Sequence, residues 1–350
     1  MKRQKLLLVS HHWPVNSHHS KSSSYQRLAV YLTDKYQVEV LTAGQKTTVI
    51  KENNLTVFYL KTPKTNFMFE KRLSLAWQAK KMVDDYDIIH CLYSDVGYFF
   101  KKQDKVIMTE HDLPEINPSL WMKYKTIIQK PSLKKAGLII AVSSNLKEII
   151  NQKYNQKVVY IPLGVDTKVF KPLKINQEAK LKLLQNQFKF ICLSVGIHGV
   201  DSKVFQKIAS QFPEIIFIVI GRSEKNNQHN NIYHPGVVSE EKLKEFYSLA
   251  DFCFKPLRFA TANNAILEAM AMGKATITNR IDGITDYLSE AQAYLADSNK
   301  DFDQLFQRAM KNKKELERKG NQARKRALEQ FSWEVVAEKV SRVYQEGLKK

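Results

Sequence analysis

Two groups of residues in this chain have types and spacings that can do chemistry. The first lies within residues 251–278, DFCFKPLRFATANNAILEAMAMGKATIT. Asn263 and Asn264 stand where helix N-caps stand, an apolar pattern runs through Ile266, Leu267, Met270 and Ala271, and Gly273 closes the helix. Strand, loop, helix and second strand make a parallel βαβ unit whose helix opens toward the carboxyl end of a strand. At such an edge the free N–H groups and the helix dipole favour an anion such as a diphosphate. Glu268 sits one turn inside, too deep to cap and near enough to accept hydrogen bonds from ligand hydroxyls; the alternative is a solvated carboxylate, or one paired with a neighbouring lysine. The second group is residues 109–114, TEHDLP, where Glu110, His111 and Asp112 end an apolar strand. Titratable groups so placed are candidates for proton handling. Four histidines, His11, His12, His18 and His19, crowd the loop after the first strand, but none has a carboxylate at a recognised ligand spacing, and no metal is expected.

The elements that must position these residues repeat one scheme. Strands are expected at 5–10, 37–42, 87–92, 105–109, 137–142 and 157–161, with a helix at 27–35 and another opening at Asn145, where Glu148 completes a capping-box pattern. Continuous apolar runs of this kind suit strands covered on both faces. After the polar segment 166–174 the scheme restarts, with strands at 188–195, 214–220 and 232–237 and helices at 202–212 and 240–249; an Asn-rich loop spans 226–231. From Asp301 the chain is mostly helical and basic until 333–344 regains an apolar stripe. The expected class is α/β, two Rossmann-like doubly wound domains over 1–165 and 166–330, with a terminal helix over 331–350.

Composition narrows the function classes. At 350 residues the chain holds two domains of ordinary size, and 43% hydrophobic with 11% aromatic residues excludes a disordered chain. No apolar run approaches the roughly 20 residues of a membrane helix, and the N-terminal one is too short for a signal peptide. Cys91, Cys192 and Cys253 each lie in an apolar strand-like run, at spacings that suit neither zinc nor a disulfide framework, which reads as a reducing cytoplasm. Net charge is +20, and residues 1–165 carry 25 Lys and Arg against 13 Asp and Glu. Two stretches, 67–82 and 121–135, mix that charge with large apolar groups; such segments either lie on an anionic membrane surface or are ordinary helices with their lysines in water. The loop after the first strand has no G-x-G-x-x-G, and P-loop and G-x-S-x-G motifs are absent, which argues against a dinucleotide oxidoreductase, a P-loop enzyme and an α/β-hydrolase. No nucleic-acid reading motif occurs, and nucleic acid is not an expected partner.

Three segments, in order, resemble family 4 glycosyltransferases of the GT-B fold, which move a sugar from a nucleotide diphosphate to an acceptor. NAILEAMAMGKATIT at 264–278 is similar to the LEAMA-G-P-V signature. GLIIAVSSNLKEIINQKYNQKVVYIPLGVDTKVFKP at 137–172 resembles the family's S--LK segment followed by IP-GVD---F-P at the interdomain hinge, and FSWEVVAEKVSRVY at 331–344 resembles its closing helix, which crosses back to the first domain. The resemblance implies two domains facing a central cleft, a nucleotide-diphosphate sugar as co-substrate without a metal cofactor, a cell-envelope glycan or lipid-linked acceptor, and retention of configuration. It assigns Glu268 to the donor ribose, Gly196, Lys203, Gly221, Arg222, Asn264 and Ala265 to the diphosphate side, and His111 to the sugar or acceptor. Asp112 is the first choice of base if the reaction inverts; in a front-face retaining transfer the donor's own phosphate takes the proton. The family's loop after the first strand shapes the acceptor site, and here Ser20 and Ser22 stand where glycines are expected. Two further departures concern the donor. Ile197 follows Gly196 where an arginine is usual, and Ala260 stands where the first carboxylate of an E-x7-E pair would organise the donor sugar. Arg222, Lys255 and Arg258, at strand ends, are candidate replacements for the missing cation. The same departures keep open a GT-B-like subunit without catalysis of its own, supporting a partner transferase.

Overall fold

The computed structural model describes residues 3–11, 13, 23–52, 54–62, 68–101, 103–117, 119–184, 187–221 and 229–347. His12, His18, His19, Ser20, Ser22, Phe67, Arg222 and residues 226–228 of the Asn-rich loop lie outside the described residues. The chain divides into two compact units: Met1–Leu163 joined by Trp333–Lys350, and Gly164–Ser332.

Unit 1 begins with β1 (Lys5–Ser10), α1 (Ser23–Leu32), β2 (Gln37–Gly44), β3 (Thr48–Glu52), β4 (Leu55–Lys61) and α2 (Met68–Met82). It continues through β5 (Ile88–Cys91), β6 (Gln103–Glu110), α3 (Leu120–Leu133), β7 (Ala136–Ala141), α4 (Ser144–Tyr154) and β8 (Val158–Tyr160). Unit 2 contains α5 (Gln177–Leu184), β9 (Phe190–Val195), α6 (Ser202–Gln211), β10 (Ile215–Ile220), β11 (Ile232–Gly236), α7 (Glu240–Leu249) and β12 (Phe252–Lys255). It ends with α8 (Asn264–Ala271), β13 (Thr276–Asn279), β14 (Ala293–Ala296), α9 (Phe302–Lys311) and α10 (Lys313–Arg326), and α11 (Trp333–Gly347) returns to unit 1.

The first sheet runs β3-β4-β2-β1-β5-β6-β7-β8, parallel except at the edge, where β3 runs against β4. Its central strands alternate faces, and Leu6 and Leu8 of β1 meet Leu28, Ala29 and Leu32 of α1 together with Trp333, Val336, Val340 and Tyr344 of α11. The last helix therefore completes a core begun by the first strand. The second sheet, β11-β10-β9-β12-β13-β14, is wholly parallel. One of its faces is packed by Phe205, Phe212, Phe217, Phe252, Phe254, Phe302 and Phe306, and Phe212 stacks on Phe306 at a centroid distance of 5.1 Å. Cys91, Cys192 and Cys253 are buried free thiols.

Three details differ from the sequence pattern. The first helix starts at Ser23 rather than 27 and ends at Leu32, where the N–H groups of Thr33, Lys35 and Tyr36 turn back onto the Val30 and Leu32 carbonyls and lead the chain into β2. The helix expected to open at Asn145 with a Glu148 capping box is instead capped by Ser143, whose hydroxyl accepts from the Leu146 N–H at 3.3 Å. Residues 48–61, for which no strand was expected, form the β3–β4 hairpin; Asn54 takes φ 60 in its turn, a left-handed conformation that asparagine tolerates better than most residues.

Candidate active site

In each sheet the strand order reverses once, between β1 and β5 in unit 1 and between β9 and β12 in unit 2. Beyond the carboxyl ends of strands at such a reversal the loops part in opposite directions and leave room for a ligand. Both candidate groups lie at these points.

In unit 2, β9 ends at Val195 and is followed by Gly196 at φ +70, while β10 ends at Ile220 and is followed by Gly221 at φ +129. The Gly196 N–H donates to the Ile220 carbonyl at 2.8 Å and the Gly221 N–H to the Gly236 carbonyl at 2.9 Å. These N–H groups are thus spent on the backbone, so Gly221, expected to offer a phosphate contact, instead helps by what it lacks. A Cβ on Gly221 would sit 3.5 Å from the Gly196 Cα, and both positions require backbone that L side chains rarely adopt.

The N–H donors come from α8. Asn263 caps it, its side chain accepting from the Ile266 N–H at 3.2 Å, and Gly273 at φ +71 ends the turn that follows. The N–H groups of Asn264 and Ala265 belong to the first helical turn, where no intrahelical acceptor exists. Glu268 is one turn further in and half-buried, with Oε2 3.0 Å from the Tyr247 hydroxyl, which also lies 3.0 Å from the Ala265 carbonyl. Burial pushes the Glu268 carboxyl up to about 7, and the bond from Tyr247 and the charge of Lys255 oppose that rise. Lys203 stands exposed on the first turn of α6, whose N-cap is Asp201. Ile197 and Arg258 are also exposed, and Ala260 lies in a loop whose carbonyl faces Gly283, 2.5 Å from where a Cβ there would stand.

In unit 1 the TEHDLP segment closes β6. Glu110 is buried, and its Oε1 accepts from the N–H groups of His111 at 2.8 Å and Asp112 at 3.2 Å, which folds the two following side chains round the strand end. Lys125 from α3 lies 4.0 Å from the same oxygen. His111 Nε2 is 3.0 Å from the Leu92 carbonyl and 2.6 Å from the Tyr25 hydroxyl; a carbonyl only accepts, so the tautomer carrying its proton on Nε2 fits. Burial draws the imidazole down to about 4 and leaves it neutral at ordinary pH. Asp112 Oδ2 accepts from Asn117 at 2.7 Å, whereas its buried Oδ1 has no hydrogen-bond partner, and burial lifts the carboxyl to about 6.

Beside this segment lies a cluster that sequence reasoning missed. Arg72 of α2 pairs with Asp95, both buried, and its Nη2 is 3.0 Å from His11 Nε2. The His11 ring is 4.3 Å from Tyr93, which is 4.9 Å from His111. His11 is therefore built into a chain of packed rings and charges that reaches His111. Arg72 was legible in principle. It occupies the same helical stripe as buried Leu75, Ala76 and Ala79, where a charge needs a buried partner.

Two Rossmann-like units, each built on a mostly parallel sheet with its strand order reversing once, make up the GT-B fold. Residues 22–169 match the family model described as Glycosyltransferase Family 4, and residues 197–326 match that of Glycosyl transferases group 1, so that the chain belongs to the family 4 type of GT-B glycosyltransferases. An alpha-galactosylglucosyldiacylglycerol synthase from Streptococcus pneumoniae is 30% identical over 136 residues, 33% of this chain and only 35% of the synthase. The MMP alpha-(1->4)-mannosyltransferase of Mycolicibacterium hassiacum is 21% identical over 299 residues, 75% of this chain and 71% of its own. Among solved structures, sucrose-phosphate synthase from Thermosynechococcus elongatus superposes with a TM-score of 0.80 at 19% identity, covering 98% of this chain and 99% of that one. HepE of Anabaena, in complex with UDP and glucose, gives 0.72 at 12% identity, covering 98% and 100%. At these identities the structural likeness is one of fold.

Proposed function

We propose that this glycosyltransferase takes a nucleotide-diphosphate sugar as donor and passes the sugar, with retention, to a cell-envelope glycan or lipid-linked acceptor. The observation that carries the reading is α8: two unspent N–H groups at its start and Glu268 one turn below, at the switch point of unit 2. The N–H groups and helix dipole suit the diphosphate, and a carboxylate suits paired ribose hydroxyls. The UDP and glucose bound to HepE and the glycolipid named for the pneumococcal relative are in keeping with such a donor and acceptor. Titrating UDP, GDP and ADP and their sugars against the chain, by melting shift and calorimetry, tests it. Saturable binding of one nucleotide series is expected; absence of binding up to millimolar concentrations would leave a subunit without donor chemistry.

Retention makes a specific demand on Asp112. If the donor's phosphate takes the acceptor proton, Asp112→Asn lowers turnover by less than about tenfold and leaves the product anomer unchanged. Were Asp112 the base, its carboxyl, lifted from 3.8 to about 6, would have to be ionised, so the rate would climb as pH rises through about 6. The variant would then lose that limb and about 10²–10⁴ in rate, overturning retention.

The acceptor reading includes an anionic membrane surface. No helix among the described residues is long and apolar enough to cross a membrane. On α3, however, Leu120 and Ile127, 71% and 69% exposed, are seven residues apart and share a face with exposed Lys134. On α2, exposed Trp77 carries Lys81 Nζ 3.7 Å from its ring centroid. Apolar groups ringed by lysines suit the inner, anionic face of a membrane. Co-sedimentation with anionic vesicles is expected to fall severalfold in Ile127→Glu and on raising salt; equal binding to zwitterionic vesicles would sink the idea.

A further inference from the structure

β12 reads Phe-Cys-Phe-Lys, and all four residues are buried. A lysine that ends such a strand, 4% exposed, needs partners that repay its desolvation. Lys255 Nζ donates to the carbonyls of Val195 and Gly196, each at 2.5 Å, at the end of the neighbouring β9. It also lies 3.8 Å from where a Cβ of Gly196 would stand, so the open floor left by that glycine is floored by an ammonium. An ammonium has three N–H donors, and the two carbonyls take two. Among the described residues, the other cations at this edge, Lys203 and Arg258, are exposed, and Ile197 brings no charge.

We propose that Lys255 is the cation the donor's diphosphate meets, contributed from the floor of the site by β12. The inference rests on the nucleotide-sugar reading above. A phosphate oxygen approaching over Gly196 would take the third N–H, and the charge growing on the leaving diphosphate would face a fixed cation away from water. The groups facing Lys255 are compatible with this. Glu268 of α8 favours its charged form, and His198 in the loop after β9 feels its charge. Tyr247 and Glu240 of α7 act on Glu268. Burial draws Lys255 down to about 7, and an arriving anion restores the charge.

The test is calorimetric titration of the full chain with the best-binding diphosphate among UDP, GDP and ADP, and separately with the corresponding nucleoside. Lys255→Met is expected to weaken the diphosphate about 10–100-fold while leaving the nucleoside within about twofold. Lys255→Gln keeps a donor for the β9 carbonyls without the charge, and the same contrast is expected should the methionine variant not fold. Lys255→Arg should recover part of the loss. Equal losses for diphosphate and nucleoside would make Lys255 a support for Glu268, and no loss for either would make it a strand-end brace; both overturn the proposal. A wild-type chain that binds no nucleoside diphosphate overturns the donor reading first, and this inference with it.

Discussion

Replacing Asp95 by alanine is expected to lower the stability of unit 1 by about 3–5 kcal/mol, because it strands the Arg72 guanidinium in a place already stripped of water. Burial draws Arg72 down to about 10 even with its neighbours present, a sign of how much the site resists an unpaired charge. Arg72→Met is expected to do comparable damage by leaving the buried Asp95 carboxylate, among the described residues, with only His11, 3.8 Å away, as a polar neighbour. The double variant Arg72→Met with Asp95→Leu should recover most of the loss, since two apolar side chains need no partner. Denaturant unfolding of the two singles and the double measures the coupling directly. If both singles unfold within about 1 kcal/mol of wild type, the pair is not the strut described above. The cluster adjoins His11, Tyr93 and His111, so the same singles report whether the TEHDLP segment depends on it.

Glu268→Ala is expected to weaken nucleotide binding by about 10–100-fold without unfolding the protein, the size of losing one or two hydrogen bonds to a charged acceptor. Tyr247 keeps the Ala265 carbonyl as an acceptor, so no buried hydroxyl is orphaned. The pH profile separates the two roles. Folding lifts the Glu268 carboxyl from 4.5 to about 7, so between those values the folded chain holds a proton that the unfolded chain has lost. This contribution to stability falls as pH rises through that window. Lys255, drawn from 10.5 to about 7, contributes the opposite slope above neutrality. At pH 8 the alanine variant should therefore melt no lower than wild type while binding nucleotide less tightly. Unchanged affinity in calorimetry would falsify the ribose assignment.

The sequence spoke most clearly where local chemistry and tertiary role coincide. Residues 251–278 read as strand, capped helix and strand, and the structure has β12, α8 and β13 there, with Asn263 as cap and Gly273 at positive φ. The central strands of both sheets, such as β1, β5, β9 and β10, were legible because they are buried along nearly their whole length. The β3–β4 hairpin was passed over although Leu55–Lys61 alternates buried and half-buried residues; its partner Thr48–Glu52 is a short edge strand whose Val49 faces water, so no buried apolar run marks it. The site was harder to read than the fold. Asn264 and Ala265 at the start of α8, Glu268 one turn inside it, and His111 and Asp112 just past the end of β6 could be singled out as candidates because cap residues and apolar runs mark those element ends. Arg72, Lys125 and the 93–95 loop with Tyr93 and Asp95 come from three separate segments, and only folding brings them around Glu110 and His111. For Gly196 and Gly221 the glycine type pointed to positions of positive φ, but where their N–H groups go is decided by the adjoining strands.

The return of α11 to unit 1 has a consequence for the order in which the protein can be made. Unit 2 is one unbroken stretch of chain, Gly164–Ser332, and can pack as soon as it has left the ribosome. Unit 1 is translated first, yet Leu6, Leu8 and Leu28 have part of their cover supplied by Trp333, Val336, Val340 and Tyr344. The earlier-made unit must therefore wait, with one apolar face open, until residues 333–344 have been synthesised. Chains arrested before residue 333 would hold a finished second unit beside an unfinished first, a form recognised by chaperones and proteases through that uncovered face.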